Sequence, residues 1–330
     1  MTGVTRAHPA RLVRFARLVL PLLLAAPLEA QTARPMPAVD SISPERVARL
    51  VATLSDDSLE GRAIGGRGAM IAAQIIADAF HEAGLEPAGD SGYFQRVPFA
   101  KGPAVNVIGL LRGGDSALRD TAVVIDAHYD HLGIGRPVHG DSIYNGADDD
   151  ASGTVAVMET ARALARAGTR PRRTIVFLLL TGEEIGGTGN DWYLRHPAIP
   201  LARTAANLEI EMIGRPDPLA GGRGKAWLTG YARSTMGALL AQAGVPVVPD
   251  PRPAEQFFER SDNIAFAYRG IPAHTISSFN LHADYHRPSD EASRTDAAHM
   301  AAVIDAVTRA TWILADGPAP RWNPGGRPRP

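Results

Sequence analysis

The sequence predicts an α/β layer fold, and three observations carry the prediction. Apolar runs rich in β-branched residues alternate along the chain with amphipathic runs of helical period. The run Ile175-Val176-Phe177-Leu178-Leu179-Leu180 is apolar at every position, as a central strand covered by helices on both faces must be. At 330 residues, 45% of them hydrophobic, the chain can bury one large core or two ordinary ones, which excludes a collagen-like or wholly disordered protein.

Taken in order, the elements begin with a segment unlike the rest. Arg6, Arg11, Arg14 and Arg17 precede an apolar run at residues 18–26 and the small residue Ala30, the layout of a cleavable secretory signal over residues 1–30. The run is shorter than the ~20 apolar residues of a membrane span, and Pro21 interrupts it. A secreted or periplasmic protein with no membrane anchor after cleavage is therefore expected. Residues 31–42 read as a linker. Ser43-Pro44 then opens a helix as cap and first-turn proline, carrying Val47, Leu50 and Val51 inward. A second helix runs from 68 to 83 with Ile71, Ile75, Ile76, Ala79 and Phe80 on one side, and Gly84 stops it. Strands are expected at 104–111, 122–127, 174–180, 205–213, 226–229 and 271–277, and further helices at 152–167 and 296–314. No repeat or second composition regime divides residues 43–316, so they read as one domain. Residues 317–330, GPAPRWNPGGRPRP, read as a disordered tail, because proline removes donors and glycine raises the cost of ordering.

Composition narrows the function. Lys+Arg 34 against Asp+Glu 35 gives a net charge of -1, without the basic excess that nucleic-acid binding needs. There is no cysteine, so disulfides, thiolate metal sites, iron–sulfur clusters and a cysteine nucleophile are excluded, and any metal must be held by His, Asp and Glu. A G-x-S-x-G elbow is missing, and the glycine-rich stretches at 65–68 and 186–189 complete no P-loop or dinucleotide fingerprint. Nothing in the sequence specifies an oligomeric state.

Ligands of an open α/β sheet bind beyond the carboxyl ends of its strands, and five polar clusters lie at such ends. His128 and Asp130, two apart in extended backbone, share a face, which suits a metal-bound imidazole with an orienting acid or an ordinary polar pair. Asp148-Asp149-Asp150 precede a helix. Three consecutive acids need a cation or a helix N-terminus to compensate them, and the alternating pattern of a calcium loop is absent. Glu183-Glu184 follow the most apolar strand, where one can bind a metal while the other acts as a base. Glu209 and Glu211 stand at i and i+2 before Gly214, and Asp284-Tyr285-His286 lie in the last polar loop. Nitrogen and oxygen ligands in this mixture suit zinc, or a zinc pair sharing a bridging carboxylate.

In their order, HYDHLG, NGADDDASG, TGEE, NLEIEMIGR and GIPAHTISSFNLHADYHRPSDE resemble the M28 family of zinc exopeptidases, aminopeptidase-like proteins with a dinuclear site. The upstream DSLEGRAIGGRGAMIAAQIIADAFHEAGLEPAG is similar to the N-terminal part of bacterial members, so the resemblance covers residues 43–316. It implies a three-layer sandwich with a mixed, mostly parallel central sheet flanked by helices, a peptide substrate and two Zn²⁺ per chain. It further implies His128 as a terminal ligand with Asp130 orienting it, Asp149 as the bridge, Glu211 completing the first metal, and Glu184 with His286 completing the second. Glu183 matches the general base. Glu211 stands where most members have aspartate, and Glu209 on the same strand face competes for its role. Asn263 follows Asp262 where many members have histidine.

The implied reaction is hydrolysis by metal-activated water, with Glu183 moving the proton and Tyr285 donating to the developing oxyanion. The substrate's free amine would lie near the carboxylates. That favours an aminopeptidase over a carboxypeptidase on the same fold, a glutaminyl-cyclase-like acyltransferase or a non-catalytic scaffold. His131, His139, His274 and His282 exceed the needs of two ions and read as outer or loop residues. Residues 1–30 carry +3 and residues 317–330 another +3, which leaves -7 on the body, a charge that two zinc ions would largely offset.

Overall fold

The computed structural model describes residues 1–5 and 32–330; the expected secretory signal, apart from residues 1–5, lies outside the described residues. The chain divides into two units, Met1–Gln31 and Thr32–Pro330, and the second carries every element named below.

Its main sheet holds nine strands: β1 (Glu86–Pro87), β2 (Phe94–Arg96), β3 (Val105–Leu111), β4 (Ala122–His128), β7 (Thr174–Leu180), β8 (Thr204–Ile210), β9 (Ala226–Leu228), β10 (Val247–Pro249) and β11 (Ala273–Ser277). Between β4 and β7, β5 (Gly133–Val138) and β6 (Asp141–Tyr144) form a separate hairpin. The order across the sheet is β1-β3-β7-β4-β8-β11-β9-β10, with β2 also on β3. The central four, β7, β4, β8 and β11, run parallel, while β3 and β9 join them antiparallel.

The alternation of side chains along each strand builds the layers. Val123, Ile125 and Ala127 with Ile175, Phe177 and Leu179 pack in one core with α1 (Pro44–Leu54), α2 (Arg67–Ala83), α3 (Gly153–Arg166) and α7 (Ala297–Asp316). Val124, Val176, Leu178 and Leu180 pack in a second core with α4 (Thr188–Arg195) and α6 (Asn263–Tyr268), while α5 (Met236–Gln242) joins the first. This is the expected three-layer sandwich. Local signals set the helix ends as read: the Ser43 hydroxyl accepts from the Arg46 amide at 3.2 Å, and Gly84 closes α2 in the left-handed region.

Three boundaries differ from expectation. Strand β8 stops at Ile210, because the next free amides leave the ladder: Met212 donates to the Asp150 carboxylate at 2.9 Å, Ile213 to the Ser152 hydroxyl and Gly214 to Asp148. The expected linker is packed, with Met36, Val39 and Ile42 against the core and Arg34 paired to Asp316 at the end of α7. The expected disordered tail is likewise ordered. Trp322 donates to the Gly270 carbonyl at 2.9 Å and bridges to Ser234, its ring set against Phe258 and His274, so one half-buried indole helps offset the entropy of a Pro/Gly-rich segment. Among the described residues, no helix is long and apolar enough to cross a membrane.

Candidate metal centre

The carboxyl ends of the parallel strands converge on one acidic cleft. His128 is the last residue of β4 and faces Leu180 across the ladder, so the chain leaving β7 delivers Glu183 and Glu184 beside it. The His128 Nδ1 meets the carbonyl of Asp130 at 3.1 Å, whereas the Asp130 carboxylate stands 3.8 Å away. A two-residue turn folds the main-chain carbonyl back onto the ring, so the carbonyl is the nearer partner and the carboxylate stays within ion-pair range. The Asp130 carboxylate also accepts from the Glu183 amide at 3.2 Å and steadies that residue.

Asp149 lies between two groups of ligands. Its Oδ1 is 3.3 Å from His128 Nε2, and its Oδ2 is 3.1 Å from His286 Nε2. One convergent triad is His128, Asp149 and Glu211; the other is His131, Asp149 and Glu184, each with donor atoms within 4.8 Å of one another. His286 also reaches the second group, 3.2 Å from Glu184 Oε2. His131, read from the sequence as an outer residue, sits inside it, with Nδ1 2.6 Å from Glu184 Oε1. Its signal was the spacing of HYDH, three residues past His128.

Gly146 makes the approach possible. A Cβ there, at φ 55, would lie 2.1 Å from the Asp149 carbonyl and 2.5 Å from the His131 ring. The Asp290 carboxylate then accepts the amides of both Asp148 and Asp149 at 3.0 Å, and Arg215 ties it to Asp284, two residues before His286. Asp290 and Arg215 form a support that sequence reasoning missed.

Glu209 and Glu211 separate cleanly. Glu209 is buried and accepts from the Ser261 and Thr275 hydroxyls and from the amides of Asp262 and Asn263, at 2.5–3.1 Å, fixing the N-terminus of α6. Its lone pairs are used in the scaffold. Glu211 is the one that joins His128 and Asp149. Asn263 donates its side-chain amide to the Phe258 carbonyl at 3.2 Å and its main-chain amide to Glu209.

Among the described residues several buried polar atoms in the cleft make no well-aligned hydrogen bond: His128 Nε2, both ring nitrogens of His131, and Glu184 Oε1, although His128 Nε2 lies within ion-pair reach of Asp149 and His131 Nδ1 within reach of Glu184. Orphaned polar atoms at such a density are costly unless something binds them, and a set of imidazoles and carboxylates fits divalent cations. The electrostatics of the acids fit a site short of positive charge. Burial and the neighbouring Asp262, Glu211 and Asp149 push Glu183 up to about 10, and burial with Glu209 pushes Glu211 up to about 8. Burial opposes ionisation of Asp149 too, but its contacts with His128 and His286 win and hold it below the usual range.

Tyr285 stacks on His286 with ring centroids 3.9 Å apart and leans on Phe279. Burial and the nearby acids raise its hydroxyl, which stays protonated. It lines a recess with Glu211, Met212, Trp227, Phe257 and Phe279. Of the remaining histidines, His282 pairs with Asp148 at 2.8 Å, His274 is buried against Ser234 and Thr229, and His139 is exposed in the β5–β6 turn.

A parallel sheet whose edge gathers two acid–histidine triads on one shared carboxylate defines an α/β protein built to hold cations. The chain belongs to peptidase family M28, whose sequence model matches residues 106–311. It is 31% identical over 167 residues to leupeptin-inactivating enzyme 1 of Streptomyces exfoliatus, covering 47% of this chain and 34% of that one. The chain thus spans about a third of that relative's length. In fold it is similar to the LapA aminopeptidase of Legionella pneumophila, with TM-score 0.65 at 21% identity over 83% of this chain and 72% of that one. It is also similar to BSAP, a zinc aminopeptidase from Bacillus subtilis, with TM-score 0.65 at 15% identity over 86% and 97%.

Proposed function

We propose that this protein is an exported dinuclear zinc exopeptidase, an aminopeptidase that removes apolar residues from peptide N-termini. The observation that carries the reading is the pair of triads sharing Asp149, whose His128 Nε2, His131 Nε2 and Glu184 Oε1 make no well-aligned hydrogen bond among the described residues. His128, Asp149 and Glu211 would hold one zinc, and Asp149, Glu184 and His286 the other, with His131 adding a donor to the second. Bound there, zinc supplies Lewis acidity toward the scissile carbonyl and makes water more acidic.

The chain's own groups do the rest. Glu183, held by its amide to Asp130, takes a proton from the attacking water at its carboxylate and returns it to the leaving amine. Tyr285 keeps its proton and donates a hydrogen bond where negative charge develops on the carbonyl oxygen. A free N-terminal ammonium is drawn to Glu183 and Glu211, and the recess formed by Met212, Trp227, Phe257 and Phe279 takes an apolar side chain. The basic-then-apolar layout of residues 1–30 supports export to the periplasm or the medium.

One observation favours a carboxypeptidase. Arg260, stacked over Phe257 at 5.0 Å, borders both the recess beside Glu211 and the groove beside Glu183, where it could take a C-terminal carboxylate. A matched pair of peptides decides between them, one with a free amine and one N-acetylated, both with free carboxylates. Hydrolysis of the free-amine peptide alone is expected, and Glu183→Ala should lower its rate by roughly 10²–10⁴-fold with metal retained. Equal hydrolysis of the acetylated peptide would assign the carboxypeptidase.

A further inference from the structure

Arg62, in the stretch LEGR, has 1% of its surface exposed, and among the described residues no acid stands in ion-pair contact with it, though Asp130, Asp290, Asp149 and Asp150 act on it through space. Its guanidinium donates instead to four main-chain carbonyls: Leu54 at 2.5 Å, Tyr129 at 2.7 Å, Asn145 at 2.6 Å and Gly146 at 2.9 Å. Tyr129 stands between His128 and Asp130, and Asn145-Gly146 lead into Asp149. The carbonyl of Arg62 itself accepts from the amide of His131 at 3.4 Å. One residue therefore touches the backbone beside a ligand of the first triad, beside the shared carboxylate and at a ligand of the second.

The route to this position is strained. Glu60, Gly61 and Arg62 all lie in the left-handed region, at φ 53, 64 and 52. A Cβ on Gly61 would come 2.4 Å from the Tyr144 carbonyl and 2.7 Å from that of Gly133, so glycine is required there. Backbone strain of this kind persists where the surroundings over-determine it and is concentrated at working sites. Lysine could not replace the planar fork: a single ammonium cannot reach carbonyls arriving from four directions.

We propose that Arg62 is a positioning residue, whose buried guanidinium ties the segment carrying His128 and His131 to the segment carrying Asp149 and so sets the separation of the two metal positions before metal arrives. The inference rests on the two-metal reading above, and its test separates the two. Wild type, Arg62→Lys and Arg62→Met are stripped of metal and titrated with cobalt(II), whose visible bands report the geometry around each ion, while far-UV circular dichroism records folding. Wild type takes two ions; a wild type that takes none overturns the two-metal reading instead. In Arg62→Lys the second ion binds at least ten-fold more weakly with shifted bands, and kcat on leucyl p-nitroanilide falls ten-fold or more while KM stays within two-fold. A larger loss is expected in Arg62→Met. A lysine variant with wild-type affinities, bands and kcat overturns the proposal. Hydrogen exchange on the metal-free wild type decides the same question without a variant. Amides at 129–131 and 145–150 should already be protected; free exchange that only metal abolishes would assign the ordering to the ions and overturn the proposal.

Discussion

The two triads that share Asp149 are built on different ground. His128 closes β4 and Glu211 directly follows β8, so the first triad is fixed by neighbouring strands in a continuous ladder. The second depends on chain beyond the strands. His131 and Glu184 follow turns, and His286 comes from a loop, with its side chain 37% exposed and its backbone at φ 56. Strand ends hold a ligand with the rigidity of the sheet, whereas a loop holds it only as firmly as its own anchors. For His286 those anchors are the Arg215 links to Asp284 and Asp290. The first position should therefore bind its cation more tightly, and the second should be the one that exchanges.

The largest effect is expected where the triads meet. Asp149→Asn should lose both ions and all measurable turnover together, as metal analysis and peptide hydrolysis will record, and retention of either ion at full affinity would break the shared-carboxylate account. A smaller effect separates the two positions. His286→Ala should weaken only the second ion, by at least the roughly 10–100-fold that loss of a ligand's supporting partner costs, while calorimetric titration finds the first ion unchanged. The smallest concerns two glutamates on one strand face. Glu209→Gln should lower stability by about 1–3 kcal/mol in urea unfolding, with both ions retained, because it disturbs three donors at the start of α6 and one on β11. Glu211→Gln should leave the metal-free protein at least as stable and remove the first ion, since burial and Glu209 already hold this carboxyl protonated near neutral pH when no cation is beside it.

Much of this was legible in the sequence because it rests on local chemistry. The apolar run at 175–180, the Ser43 cap and the Gly84 stop are set by neighbours in the chain, and motifs at strand ends are placed by the topology of a parallel sheet. What was not legible depends on meetings at a distance. His131 looked surplus until the turn after β4 carried it to Glu184. Asp130 shared a strand face with His128, but a turn gave the hydrogen bond to its carbonyl rather than its carboxylate. The resemblance put Glu211 on the first metal but left Glu209 competing, because the convergence of Ser261, Asp262, Asn263 and Thr275 on Glu209 is not written locally. The tail read as disordered on proline and glycine content, because nothing local announces that Trp322 finds Phe258 and His274.

The central claim is a pair of unequal cation positions joined by one carboxylate, and a chelator titration of the zinc-loaded protein tests it most directly. Zinc released per chain is followed against chelator concentration, in wild type and in His286→Ala. Two zinc ions should leave wild type in two separated steps, with only the weaker step shifted in the variant. A single zinc per chain, or two that leave together and shift together in His286→Ala, would contradict it.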